Sequence, residues 1–187
     1  MSNDYSRGDY NRPPHRSGDR RGGGRRGIPL SELPADLTES SRKLIGAAIE
    51  VHKNLGPGYD GTFYLNALKA ELAAQSIPYK SPHSTSVKFR DTQVGTVTCD
   101  LYIDDKFLVQ VMSRAGEVTT SERLALRAHL KAANLDLGLI INFSERRLKD
   151  GLVRVLNVEK INAERGVSFD DSDHNGGTDG ATHDFDH

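Results

Sequence analysis

Arginine side chains spaced along the first 27 residues are the groups in this chain whose type and spacing most directly suggest chemistry. Guanidinium groups bind phosphates through paired N–H donors and stack on nucleobases, while glycine between them keeps the backbone adaptable. Three aspartates in the same segment leave a merely solubilising tail as the alternative. The arginines that could contact RNA or single-stranded DNA are Arg12, Arg16, Arg20, Arg21, Arg25 and Arg26.

The opposite end of the chain is acidic. Residues 166–187 carry six aspartates, several histidines and no lysine or arginine. Asp and His can ligate divalent ions, but a segment with almost no aliphatic side chains gives these ligands no fixed geometry. We interpret this segment as a solubility tail or as an electrostatic partner for the basic arm of another copy.

Charge and composition divide the chain into three parts. The net charge of −1 combines about +4 in residues 1–27 and −6 in residues 166–187 with a nearly neutral centre. We therefore predict a disordered Arg/Gly-rich arm at 1–29, one folded domain at 30–165 and a disordered acidic tail at 166–187. Cys99 is the single cysteine, and no apolar run approaches the roughly 18 residues of a membrane span. We expect a soluble, cytoplasmic protein.

Hydrophobic periodicity identifies two helices at the start of the folded domain. Helical spacing begins at Leu37, with Thr38 as its cap and Gly56-Pro57-Gly58 as its end. A second helix is predicted at about 62–75. The predicted inner faces are Leu44, Ile45, Ala48, Ile49 and His52 on the first helix and Phe63, Ala67, Leu68 and Leu72 on the second.

Short segments rich in β-branched and aromatic residues follow, at 85–90, 94–103 and 107–112, and they predict an antiparallel meander. A third helix is predicted at 120–133, with its partly buried residues at Leu124, Leu126, Ala128 and Leu130. Three further segments are predicted as a central strand at 137–143, an edge strand at 152–156 and a short helix or linker at 158–164. This order predicts an α/β (or α+β) fold with a mixed β-sheet flanked by helices.

Several pieces of the domain, in order and with consistent spacing, resemble a bacterial family named for its GxxExxY motif, a branch of the PD-(D/E)XK nuclease superfamily. The resemblance covers most of the folded domain and implies a PD-(D/E)XK nuclease-like core. The pieces are IGAAIEVHKNLGPG at 45–58, Tyr64, CDLYIDDKFLVQVM at 99–112, and LKAANLDLGLIINF followed by RLKDG within 130–151.

The resemblance also implies which residues would form a nuclease site. In that superfamily an acidic residue on a helix and an Asp and a Glu on strands hold Mg²⁺, and a Lys two residues after the Glu helps to position the attacking water. These groups fall on Gly61, Asp100, Gln110 and Met112, and a Gln usual on the following helix falls on Ala125. Only the aspartate is kept, so the implied site is degenerate, because an amide brings no charge and a thioether can neither stabilise an anion nor orient water.

The retained residues also have purely structural interpretations. Asp100 is either a vestigial metal ligand or a solvated strand-end carboxylate near Asp104-Asp105. We interpret His52 and Tyr64 as packing residues, and Cys99 as inert.

We therefore expect no catalytic residue, no resident cofactor and no enzymatic activity. The favoured hypothesis is a homo-oligomeric, self-assembling scaffold, with a shell as one possible form, that displays charged disordered arms. Two alternatives stay open. One is a small-oligomer nucleic-acid-binding module that uses the Arg/Gly arm. The other is a nuclease with relocated ligands, Asp60 and Asp100, which would need Mg²⁺. We expect no membrane partner.

Overall fold

The computed structural model describes Pro29 and residues 32–166. Apart from Pro29 and Gly166, the predicted arm and tail lie outside the described residues, so their predicted disorder stays a prediction. The described part contains four α-helices and seven β-strands: α1 (Ala35–Leu55), α2 (Gly61–Ala74), β1 (Tyr79–Lys80), β2 (His83–Phe89), β3 (Thr92–Cys99), β4 (Leu101–Ile103), β5 (Phe107–Met112), α3 (Thr120–Ala133), β6 (Leu137–Asn142), β7 (Leu152–Leu156) and α4 (Val158–Glu164).

A five-stranded mixed sheet with the order β1-β4-β5-β6-β7 organises the domain. Strands β5 and β6 run parallel and are connected through α3, whereas the other neighbouring pairs are antiparallel. Strands β2 and β3 form a separate two-stranded ribbon. The predicted α/β fold with a mixed sheet flanked by helices is thus confirmed.

Helices cover both faces of the sheet, which explains the uninterrupted apolar sequence of β6. Successive side chains of a strand point to opposite faces. Leu139 and Ile141 therefore pack into the core formed with α1 and α2, and Ile140 packs into the second core with α3. The predicted central strand is buried along its whole length.

The buried faces of two helices, α2 and α3, differ from the predicted ones. Tyr64, Leu68 and Leu72 form the buried stripe of α2 at a spacing of four residues, so Phe63 lies about 100° away and is exposed. The prediction of an inward-facing Phe63 was wrong. On α3 the buried stripe is Leu126 and Leu130, and two residues predicted as partly buried, Leu124 and Ala128, lie on the opposite face and are exposed.

Two details of α1 also differ. The helix begins at Ala35 after Pro34, which takes the N-cap position, so Thr38 lies inside the first turn and is not the cap. Proline can precede the helix because the first helical N–H groups have no intrahelical partner in any case. Ile49, which was predicted on the inner face, is exposed at the edge of the buried face. Val51, which was not predicted there, is buried. The end of the helix at Leu55, before Gly56 with φ of 67°, is as predicted.

The predicted strand at 94–103 is broken at Asp100. Cys99 and Leu101 are two residues apart, yet they belong to different core clusters, whereas a continuous strand would place them on one face. The chain therefore changes direction at Asp100, so that β3 belongs to the ribbon and β4 belongs to the main sheet. The predicted three-stranded meander is wrong in this respect, and the short strand β1 was not predicted.

Gly151, just before β7, lies where no side chain fits. An added Cβ would lie against the carbonyl oxygen of Asn142, far inside contact distance, and 3.1 Å from the carbonyl carbon. We expect Gly151→Ala to lower the free energy of unfolding by about 2–3 kcal/mol, because backbone must move to relieve the overlap. Urea unfolding measures this. Gly95→Ala is the matched control, since a Cβ there meets nothing within 4 Å; equal effects of the two variants would contradict the prediction.

Candidate functional site

Asp100 lies at the junction of β3 and β4, beside β5. Its Oδ2 accepts a hydrogen bond of 2.6 Å from Gln110 Nε2 and one of 2.7 Å from the backbone N–H of Val111. The other end of the Gln110 amide, Oε1, lies 4.0 Å from Cys99 Sγ. The structure thus brings together two of the positions implied by the resemblance, and it joins them to each other directly.

Burial raises the pKa of the Asp100 carboxyl above its usual value. The N–H of Val111, the charge of Lys69 and the bond from Gln110 act in the opposite direction without cancelling that effect. Desolvation disfavours the charged form of a carboxyl group, and these three partners offset that effect only in part. Asp100 is therefore a half-buried, hydrogen-bonded residue and not a freely solvated strand-end carboxylate.

The other candidate positions lie at the start of α2, at the end of β5 and on α3. Gly61 is the first residue of α2, and a Cβ built on it would lie 3.6 Å from the N of Ser113 and 3.7 Å from the Cα of Met112. The Met112 side chain packs against the core beneath α3. Asp60 is the N-cap residue of α2, has extended backbone and is exposed, and its side chain makes no capping hydrogen bond. Ala125 is exposed on α3.

This arrangement does not fit a divalent metal ion. Hard cations such as Mg²⁺ need several oxygen ligands, usually including carboxylates. Among residues 32–166, no group of three or more His, Cys, Asp or Glu side chains could hold a metal ion. At the implied site Asp100 is the one carboxylate, and its Oδ2 already accepts two N–H donors.

A groove of about 440 Å³ opens beside the implied site, and sequence reasoning did not predict it. It lies between the loop before α2 and the ends of β5 and β6, the edge at which parallel strands of α/β proteins commonly present ligand sites. Its lining residues are Pro57, Gly58, Tyr59, Asp60, Ser113, Arg114, Ala115 and Ser144.

Four of the five N–H groups of the Arg114 guanidinium are bonded within the protein. Its Nε donates to Glu122 Oε1 at 2.7 Å, and a second nitrogen donates to the other oxygen of the same carboxylate. Two further N–H groups donate to the carbonyls of Ala115 at 3.1 Å and Glu117 at 2.9 Å. Arg114 therefore holds the loop after β5 against the start of α3 and offers little charge to a ligand in the groove.

Glu122 closes the same network. It forms a capping box with Thr119 at the start of α3, a motif that satisfies two N–H groups of the first turn. The hydrogen bond from Arg114 is the largest cause that lowers the pKa of Glu122 from 4.5 to about 2. The carboxylate form is thus the one that the folded protein stabilises.

This pKa predicts a pH dependence of stability. Because the folded-state pKa lies below the unfolded one, the contribution of Glu122 is fully present above about pH 4.5 and is lost as the pH falls towards 2. We expect Glu122→Gln to destabilise the domain clearly at pH 7 and progressively less below pH 4. Urea unfolding of both proteins from pH 7 to pH 2.5 tests this. A difference that is constant with pH would contradict it.

Asn142 joins the ends of the two parallel strands. The residue is fully buried at the end of β6, and its Nδ2 donates to the carbonyls of Arg114 at 2.9 Å and Gly116 at 3.1 Å. Its Oδ1 accepts from the N–H of Arg114 at 3.1 Å and from Ser144 at 3.1 and 3.3 Å. These bonds shape the groove wall.

An aromatic stack supports the other wall. The ring of Tyr64 lies 4.6 Å from that of Phe143 at 8°, and the Tyr64 hydroxyl donates to the carbonyl of Gly56 at 2.6 Å. The N–H of Tyr59 donates to the same hydroxyl at 3.2 Å. His52 packs against Phe143 and its Nε2 lies 2.9 Å from the carbonyl oxygen of Glu145. Both His52 and Tyr64 thus have structural contacts that account for them.

Cys99 is buried, and its thiol donates to the carbonyl of Val109 at 3.0 Å. Burial, reinforced by the nearby Asp100, raises the pKa of this thiol to about 11. A thiol with a raised pKa is a poor nucleophile at neutral pH.

The mixed five-stranded sheet with helices on both faces places the chain in the class of α/β proteins. The model of the PD-(D/E)XK nuclease superfamily matches residues 38–155, and the chain belongs to that superfamily. No curated protein and no protein of solved structure shows a significant match. Among the described residues, no helix combines the length and apolar character needed to cross a membrane.

Proposed function

We propose that this chain is a GxxExxY-type member of the superfamily whose nuclease site has degenerated, and that it acts as a self-assembling scaffold and not as an enzyme. One observation carries this proposal: the hydrogen bond of 2.6 Å from Gln110 Nε2 to Asp100 Oδ2. Where the nuclease pattern has two carboxylates that share a cation, here an amide and a carboxylate satisfy each other.

The missing groups are large contributors to rate. Gly61 has no side chain, Gln110 has no charge and Met112 cannot donate to a phosphate. Removal of one preorganised electrostatic group commonly raises an activation barrier by about 3–4 kcal/mol. The loss of three such groups would leave phosphodiester cleavage many orders of magnitude below an enzymatic rate.

Two features of the chain that do not depend on catalysis support the scaffold part of the proposal: its core and its charged terminal segments. The domain keeps a two-sided core, and the sequence adds a segment of about +4 before it and a segment of −6 after it. Opposite charges attract between copies as well as within one copy, so these segments add to association between copies. A closed symmetric assembly is the usual outcome for a homo-oligomer.

Light scattering coupled to size exclusion tests the scaffold proposal. We expect a defined multiple of the 20.6 kDa chain mass. A mass of one chain at every protein concentration tested would contradict it.

A second candidate function is a nucleic-acid-binding module, and the six arginines between Arg12 and Arg26 favour it. We expect a labelled single-stranded oligonucleotide to bind the full chain with a steep salt dependence, because each phosphate contact changes the logarithmic slope by about −0.7. Deletion of residues 1–27 should flatten that slope by about 4. Substitution of the six arginines by lysine is the control for charge alone. Binding that ignores salt would contradict phosphate contacts.

The acidic segment is expected to weaken that binding. Arg165 forms an ion pair with Glu32, so the two charged segments leave the domain at neighbouring points. Tethering at neighbouring points gives a high effective concentration of carboxylates around the arginines. Deletion of residues 167–187 should therefore tighten oligonucleotide binding several-fold at low salt, with no change at about 0.5 M salt where charges are screened. An unchanged affinity at low salt would contradict this.

A further inference from the structure

Two exposed apolar features lie on different parts of the domain, and the fold accounts for neither. The first, which we call the ribbon tip, consists of Phe89 and Val94 with the turn between them. The second is the groove described above, with Phe63 beside its lining residue Tyr59. The ribbon packs against α3, whereas the groove lies at the start of α2 and the ends of β5 and β6.

The ribbon tip presents two large apolar side chains to solvent. Phe89 pairs with Thr92, and Val94 is the extra residue of a β-bulge between the pairs Val87–Gly95 and Lys88–Gln93. Phe89 is 65% exposed and Val94 is 61% exposed. Bulges are features that re-aim side chains at the edges of sheets. Here the bulge adds Val94 as a second exposed apolar residue close to the turn of the ribbon.

The turn at the tip is also constrained. Arg90 has φ of 53°, in the left-handed region that arginine rarely adopts, and its guanidinium lies 5.4 Å from the centre of the Phe89 ring. Residues held in sparsely populated backbone regions cluster at functional positions. The tip is therefore an ordered apolar surface with a cation beside it.

The groove offers a complementary surface. Tyr59 is 50% exposed and Phe63 is 59% exposed, and their rings lie 5.8 Å apart at 45°. A volume of about 440 Å³ is large enough for a phenylalanine side chain. Aromatic rings at this separation also favour a third ring packed on their edges or faces.

The charges of the two surfaces are opposite. The tip carries Lys88 and Arg90 against the single acid Asp91, all exposed. In the groove lining, Asp60 is exposed, and the charge of Arg114 is balanced by Glu122. The positively charged tip and the negatively charged groove therefore attract each other. Complementary charge of this kind fixes the register of an interface.

We propose that the ribbon tip of one copy inserts into the groove of the next copy, with Phe89 against Tyr59 and Phe63, and Arg90 beside Asp60. This inference rests on the proposed self-assembly and names its surfaces. The partner is a second copy of this chain, because one chain carries both the apolar tip and the oppositely charged apolar groove. A contact between different surfaces of identical copies is heterologous, so it propagates into a ring when the rotation between copies closes and into an open filament when it does not.

Paired variants test both surfaces. We expect Phe89→Ser with Val94→Ser to reduce the assembly to single chains in light scattering, or to raise its dissociation constant at least 30-fold, because buried aromatic anchors dominate interfaces. Phe63→Ser should have the same effect from the groove side. Leu124→Ser is the matched control, since Leu124 is also an exposed apolar residue, 55% exposed on α3, and belongs to neither the ribbon tip nor the groove lining. Circular dichroism confirms that each variant is folded.

A charge exchange gives the sharper test. Arg90→Glu and Asp60→Arg should each weaken assembly, and the double variant should recover most of the loss, which no effect on folding would produce. Failure of the double variant to recover would overturn the proposed register.

The other outcomes are also decisive. Normal assembly of both the wild-type chain and the tip variants would overturn this inference and leave the scaffold proposal intact. Single chains at all wild-type concentrations would overturn both. Loss of oligonucleotide binding by tip variants with unchanged assembly would assign the tip to nucleic acid and also overturn the inference.

Discussion

The triple variant Gly61→Glu, Gln110→Glu, Met112→Lys is expected to cleave DNA in the presence of Mg²⁺, at a rate at least about 10⁴-fold above that of the wild-type chain. Each added group restores a charge that the superfamily pattern places around the cation or the phosphate. One such group is commonly worth about 10²–10³ in rate, and three act on one transition state.

The structure has room for the substitutions at positions 61 and 110. A Cβ at position 61 would make ordinary van der Waals contact with the backbone of Ser113 and Met112, at 3.6 and 3.7 Å. Gln110→Glu would place a second carboxylate at hydrogen-bond distance from Asp100, because Gln110 Nε2 now lies 2.6 Å from Asp100 Oδ2. Two carboxylates at this distance repel each other unless a cation or a proton lies between them.

That repulsion supplies a readout that does not depend on cleavage. We expect Mg²⁺ to raise the melting temperature of the triple variant by several degrees and to leave the wild-type value unchanged, since an ion that binds only the folded state stabilises it. Addition of Asp100→Ala to the triple variant should abolish both effects. A folded triple variant that neither binds Mg²⁺ nor cleaves DNA would contradict the assignment of these positions.

Asn142→Asp is expected to lower the free energy of unfolding by about 3 kcal/mol or more at pH 7. The substitution keeps the size of the side chain, but it turns the two donors that face the carbonyls of Arg114 and Gly116 into acceptors. It also places a negative charge at a fully buried position. Buried unpaired charge and buried unsatisfied carbonyls are among the few causes of losses this large.

The effect of Asn142→Asp should depend on pH with a defined sign. Burial and the two facing carbonyls raise the folded-state pKa of the new carboxyl above its unfolded value, so the destabilisation grows as the pH rises. We expect a smaller loss at pH 4 than at pH 7 in urea unfolding. Asn66→Asp is the matched control, because Asn66 is exposed on α2. Equal losses at the two positions would contradict the proposed role of Asn142.

Local sequence patterns predicted the bounds of α3, the buried strand β6 and the edge strand β7 well, because each segment has clear ends, although they assigned two exposed residues to the buried face of α3. They failed at Asp100, where residues 94–103 look like one strand. The break exists because Cys99 and Leu101 must enter cores on opposite sides of the sheet. Local sequence propensities cannot predict this break, because it depends on where α2 and α3 pack against the sheet.

The site was predicted in part for a similar reason. Resemblance located Gly61, Asp100, Gln110 and Met112, but the bond from Gln110 to Asp100 depends on strand register. The groove and its supports were missed, although two signals were readable. Thr119 and Glu122 have the spacing of a capping box, and Asn142 interrupts an otherwise apolar run, which marks a buried polar residue that needs partners.

The most direct test of the account is a cleavage assay on the purified wild-type chain, with labelled single- and double-stranded DNA and RNA and with Mg²⁺ or Mn²⁺. We expect no metal-dependent cleavage above that of Asp100→Ala purified in parallel. Cleavage at an ordinary enzymatic rate, about 1 per second or faster, that disappears in Asp100→Ala would contradict the proposal that the site has degenerated.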